Sequence, residues 1–105
     1  MADYIQVMTT LEKKEDAAMI SRNVLEEKLA ACVQIIGPMT STYWWEGKIE
    51  EATEWLCVMK GRRDYYDRLE KCIKDIHPYE EPEILAIPVI AGSRGYLDWL
   101  DGELK

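Results

Sequence analysis

"CVQIIGPMTSTYWWEGKIEEATEWLCVMKG", residues 32–61, is the stretch on which the fold turns. Its first half is rich in β-branched and aromatic residues and reads as one long strand. Gly37-Pro38 interrupts that strand and predicts a bend or bulge. Glu46-Gly47-Lys48 is a hairpin signal. The chain then returns as a second strand, with Trp55, Cys57 and Met59 alternating with Leu56 and Val58. Trp44 and Trp45 are neighbours on a strand, so they point to opposite faces. Burying both requires cover on both sides of the hairpin. The expectation is one indole towards the core and the other towards a neighbouring subunit.

Outward from the hairpin, the elements fall into two similar halves. On the N-terminal side, "DYIQVMTT" (3–10) reads as a strand, and residues 13–32 hold an amphipathic helix. Ala17, Ile20 and Val24 form the apolar stripe of that helix, with Ala18, Leu25 and Leu29 beside it. On the C-terminal side, "RRDYYDRLEKCIKDI" (62–76) is helical, with Tyr65, Tyr66, Leu69, Cys72, Ile73 and Ile76 at helical spacing. Pro78 disfavours helical geometry at His77 and ends the helix near Ile76. "EPEILAIPVIAG" (81–92) is the fourth strand, and Pro88 confines it to an edge or a kink. "SRGYLDWLDGELK" (93–105) closes the chain as a short helix with Ser93 at its N-cap.

The order β-α-β-β-α-β plus a C-terminal helix predicts an α+β, ferredoxin-like fold. One domain spans residues 1–105, since no linker or low-complexity tract divides them. Its sheet is antiparallel with both main helices on one face, which leaves the other face uncovered.

Composition narrows the partners. The chain carries 4 Trp, 6 Tyr and 5 Met but no Phe, more amphipathic bulk than a core of 105 residues hides. Those residue types are enriched where protein surfaces meet, so an oligomer is expected. A net charge of −7 argues against a nucleic-acid partner. The one basic cluster, "KGRRD" (60–64), is short and suits a helix end or an acidic partner. No apolar run reaches transmembrane length. Cys32, Cys57 and Cys72 are odd in number and widely spaced, which fits free thiols in the cytoplasm.

His77, inside "DIHPYEEPEI" (75–84), is the sole histidine. It reads either as a copper or zinc ligand, since imidazole suits both, or as a structural residue that fixes the turn before the last strand. Cys32, at the helix-to-strand junction, reads as a small buried hydrophobe or a thiol ligand. Cys57 and Cys72 read as core. Glu46, Glu50, Glu51, Glu80 and Glu81 offer oxygens to a hard cation but lack calcium-loop spacing. Tyr79, Tyr96 and Trp99 read as inter-subunit packing or as the wall of a cleft between subunits. There is no second histidine for a nucleophile relay, no phosphate loop and no HExxH, so no enzyme is expected.

Four segments together resemble the CutA family of divalent-cation-tolerance proteins: "KLAACVQII" (28–36), "TSTYWWEGKIEE" (40–51), "HPYEEPEILAIPV" (77–89) and "YLDWL" (96–100). The resemblance covers nearly the whole chain. It implies a ferredoxin-like fold, a compact cytoplasmic homotrimer similar in architecture to the PII proteins, and a role in tolerance of copper and other divalent cations. It also implies a copper site that takes in His77. The family's other ligand positions fall on Met8, a thioether suited to Cu(I), and on Ile76, which cannot ligate. With Cys32 nearby, His77 and Met8 would form a weak, soft-metal set. The other expectations are a PII-like small-molecule sensor and a trimeric interaction scaffold without a metal role.

Overall fold

In the computed structural model, residues 4–104 are described. Asp3 and Lys105, where the expected first strand begins and the last helix ends, lie outside them. The elements are β1 (Tyr4–Leu11), α1 (Lys14–Glu26), β2 (Cys32–Trp45), β3 (Lys48–Arg62), a 3-10 turn at Arg63–Tyr65, α2 (Tyr66–Ile76), β4 (Leu85–Val89) and α3 (Arg94–Glu103). The strands lie in the order β2-β3-β1-β4, every neighbouring pair antiparallel. This is the α+β, ferredoxin-like arrangement the element order predicts. β4 is shorter than expected, and it is an edge strand, the position to which Pro88 is expected to confine it.

The core forms between one sheet face and two helices. β1 turns Ile5, Val7, Thr9 and Leu11 inwards, and β3 adds Cys57 and Met59. Ala17, Ile20 and Val24 of α1 and Leu69 and Ile73 of α2 close over them. Ala18 and Leu25 stand at the margin of the α1 stripe and remain exposed. The Cys57 thiol donates to the Ala17 carbonyl at 3.7 Å, which ties β3 to α1, and burial pushes its pKa up. Cys57 is core as expected, and Cys72 is half-buried beside the same cluster.

The opposite face is not left bare, and α3 is the reason. Arg62, on that face at the end of β3, donates to Asp101 at 2.7 Å and to Asp64 at 2.9 and 2.8 Å. The Tyr65 hydroxyl donates to the Leu104 carbonyl at 3.2 Å. These bonds dock α3 over one end of the sheet, with Leu100 and Leu104 buried. Ser93 sits at the N-cap, but its hydroxyl makes no capping bond. Beyond α3 the face stays open, with apolar residues beside Gln6, Gln34 and Lys60. Met8, Ile36, Leu56, Leu85 and Ile87 share it by register.

The hairpin extends past this body. Glu46 and Gly47 both take positive φ, 49° and 79°, so they form the two-residue turn that matches strand twist. Gly37-Pro38 is a bulge, with the register jumping between Ile36 and Met39. A Cβ on Gly37 would fall 2.8 Å from the Trp55 ring, so only glycine fits there. The extra residue inverts the alternation of β2. Trp45, with Tyr43 and Ser41, therefore shares the open face with Ile36. Trp44 pairs with Ile49 on the helix-side face, beyond the helices.

The two indoles do point apart, but the expectation that one reaches the core is corrected. Trp44 is 72 % exposed and Trp45 is 54 % exposed, because the bulged hairpin carries both past α1 and α2.

Candidate functional site

The helix end at Ile76 is where the site begins. His77 leaves α2 in extended geometry, φ −72° and ψ 133°, as its place before Pro78 requires. Its backbone N–H still caps the helix by donating to the Ile73 carbonyl at 2.9 Å. Its ring turns inwards and is 9 % exposed. The Tyr79 backbone N–H donates to Nδ1 at 3.1 Å, so Nδ1 carries no proton. The neutral ring then holds its proton on Nε2, 3.0 Å from both the Thr10 carbonyl and Thr9 Oγ1. Burial lowers the His77 pKa, outweighing the Thr10 carbonyl and the charges of Asp16 and Glu54.

The structural reading of His77 accounts for all its contacts. Each ring nitrogen is engaged within the chain, and a metal would have to displace one of those bonds. The expected partners are not beside it. Met8 points to the opposite sheet face from Thr9, which bonds the ring. Cys32 lies on β2, two strands from β1, against Tyr96 of α3. His77, Met8 and Cys32 therefore do not converge within one chain. Among the described residues, no group of three or more His, Cys, Asp or Glu side chains is placed to hold a metal ion.

The loop that His77 anchors does form a site. Tyr79 tilts against the imidazole, with ring centroids 4.8 Å apart. Its hydroxyl donates to Glu54 Oε2 at 2.7 Å. Burial, then the Glu54 carboxylate, pushes the Tyr79 pKa well up, so the phenol stays protonated. Glu54 is 8 % exposed, a buried acid on the open face of β3. Around this pair lies a cleft of about 700 Å³, between the hairpin and the 77–84 loop. Thr10 and Glu12 line it from the end of β1, and Tyr43 and Trp45 give it an aromatic wall from β2. Glu80, Glu81 and Glu83 stand on the loop side, and among the described residues no Lys or Arg lines it.

Tyr79, Trp45, Glu80 and Glu81 thus meet in one cleft. Glu46 and Glu50 are exposed on the hairpin, as is Glu51, and none of them lines it. Tyr96 and Trp99 pack on each other on α3, with centroids 5.6 Å apart, and do not reach it. Glu54 and Thr9 were missed by sequence reasoning. On a strand that alternates faces, Glu54 reads as one more solvated acid, and only the fold brings Tyr79 to it.

A ferredoxin-like sheet with a long bulged hairpin and an acidic, aromatic cleft at the end of the second helix defines the class of protein. Residues 5–103 match the family described as CutA1 divalent ion tolerance protein. The divalent-cation tolerance protein CutA of Thermus thermophilus is 42 % identical over 94 residues, 90 % of this chain and 91 % of that one. The structure of the divalent ion tolerance protein CutA1 from Ehrlichia chaffeensis superposes with a TM-score of 0.94 at 32 % identity, covering 100 % of this chain and 98 % of that one. The structure described as the periplasmic divalent cation tolerance protein CutA from Archaeoglobus fulgidus gives 0.92 at 40 % identity, with 100 % of both chains covered. The chain belongs to the CutA1 divalent ion tolerance family.

Proposed function

We propose that this protein acts as a homotrimer in tolerance of divalent cations, by binding rather than by catalysis. The observation that carries this reading is the apolar surface that one chain leaves bare. Ile36, Leu85 and Ile87 are 53 %, 54 % and 45 % exposed on the open sheet face. Trp44 and Ile49, 72 % and 63 % exposed, form a second bare apolar patch on the opposite face of the hairpin. Monomers rarely leave large apolar patches bare in water. Identical surfaces on identical chains close most simply into a cyclic assembly.

Met8 and Cys32 both belong to the open face, where copies would meet. A thioether and a thiol from adjoining copies suit Cu(I) better than Cu(II). The metal reading therefore rests on sites shared between chains, with His77 kept for structure. Free thiols at Cys32, Cys57 and Cys72 suit the reducing cytoplasm. Among the described residues, no helix is long and apolar enough to cross a membrane.

Sedimentation equilibrium at micromolar concentration is expected to give three times the chain mass. A stable monomer there overturns the reading. Equilibrium dialysis of the assembly against Cu(I) is expected to show uptake that Cys32→Ser reduces and His77→Ala leaves in place.

A further inference from the structure

We propose that the cleft between the hairpin and the 77–84 loop is a binding site for a small organic ammonium ion, held by Glu54 against the aromatic wall of Tyr43 and Trp45. A cluster of surface acids would not carry this inference; the buried carboxylate does. Glu54 Oε2 is taken by the Tyr79 hydroxyl at 2.7 Å. The other oxygen, Oε1, accepts no hydrogen bond from any described residue. No fully buried side-chain oxygen among the described residues lacks a partner, so Oε1 keeps its access to solvent, and the cleft is what Glu54 lines. A buried acid with one oxygen fixed and the other presented to a cavity is complementary to a positive group.

The chemistry of the walls selects the kind of cation. Tyr43 and Trp45 stand on one strand face and both line the cleft, and aromatic rings attract ammonium groups more strongly than neutral ones. Glu12, Glu80, Glu81 and Glu83 give the cleft a negative field, with no basic residue among the described lining residues to oppose it. A hard divalent metal would need several converging oxygens, and no such group of three is present among the described residues. A volume of about 700 Å³ suits a small molecule rather than a bare ion. The two indoles of the hairpin thereby separate in role. Trp45 faces the cleft, and Trp44 faces away from it.

His77 supports the site at one remove. By accepting the Tyr79 N–H it holds the residue whose hydroxyl fixes Glu54. It is a positioning residue for the cleft and does not touch the ligand.

The test is isothermal titration of the full chain with choline, with its neutral isostere 3,3-dimethyl-1-butanol, and with magnesium chloride as a charge control. Saturable choline binding at one site per chain is expected, with the isostere at least tenfold weaker. Glu54→Gln keeps an oxygen for the Tyr79 hydroxyl and is expected to weaken choline at least tenfold. Trp45→Leu, at an exposed position that the core does not depend on, is expected to do the same while the circular dichroism spectrum stays unchanged. No choline binding overturns the proposal, as does equal affinity for the isostere. Choline binding unchanged in both variants overturns it too, and so does competition by magnesium at equal concentration. Because Trp45 and Glu54 share the open face on which copies are proposed to meet, sedimentation of each variant is expected to match the parent, which separates loss of choline from loss of the assembly.

Discussion

Trp55 and Trp44 share one face of the same hairpin, yet their surroundings differ. Trp55 is half-buried against the core, with the Lys14 ammonium 5.3 Å from its ring centroid. Trp44 lies further along the ribbon, where neither helix reaches, and is 72 % exposed. The helix-side face of the sheet body is thus completed by its own chain. The outer hairpin is a two-stranded ribbon, and such ribbons have little stability alone. The lesson is that residue type does not separate core from exposed surface in this protein; reach does. Helices of 13 and 11 residues cannot cover strands of 14 and 15 residues.

The sharpest way to break this comparison is to remove bulk from the body. Ile73 is fully buried between α2 and the sheet. Ile73→Ala deletes buried methyl groups and leaves a cavity, at a cost of about 2–5 kcal/mol. Urea unfolding is expected to show that loss at every protein concentration. A loss that vanishes on dilution would mean that the body, too, depends on neighbouring copies.

A smaller effect is expected at the tip, and of a different kind. Trp44→Ala removes an indole that touches little of its own chain. The helical signal and the fold of the single chain are expected to persist. Dissociation of the assembly is expected to become easier by about 2 kcal/mol, the level that marks an interface anchor. Sedimentation velocity over a dilution series measures the shift. An unchanged dissociation midpoint would leave Trp44 as bare surface and remove the hairpin tip from the interface.

The same contrast sets how much was legible in the sequence. Elements within the body follow from local signals. The helical spacing of Leu69 and Ile73, the Glu46-Gly47 turn and the stop at Pro78 each act over a few residues, and all appear as expected. What the sequence hid depends on contacts between distant elements. Gly37-Pro38 announces a bulge, but whether the alternation inverts depends on pairing with β3. The docking of α3 depends on Arg62 meeting Asp101 across the open face. The three candidate metal residues are a case of types without geometry. Met8, Cys32 and His77 have suitable donor atoms, yet strand parity sends Met8 away from Thr9 and hydrogen bonds occupy both nitrogens of His77.

The smallest expected effect lies at His77, where body and loop meet, and it is read through pH. Burial lowers the pKa of the folded ring below the ordinary value of 6.5. The unfolded chain therefore takes up the proton first as pH falls. With more protons bound to the unfolded state, unfolding free energy rises with pH in that interval and falls as acid is added. The stabilising contribution of the neutral ring is complete above about pH 6.5 and declines below it, by at most about 1.4 kcal/mol per pH unit for a single group. Protonation also places a hydrogen on Nδ1, facing the Tyr79 N–H that now donates to it. The melting temperature is expected to drop between pH 7 and pH 5. Asp64 and Glu70 do not contribute there, because their partners Arg62 and Tyr66 lower their pKa values. His77→Gln is expected to flatten that slope while lowering stability at pH 7. A slope that survives the substitution would assign the titration to another group and detach His77 from control of the loop.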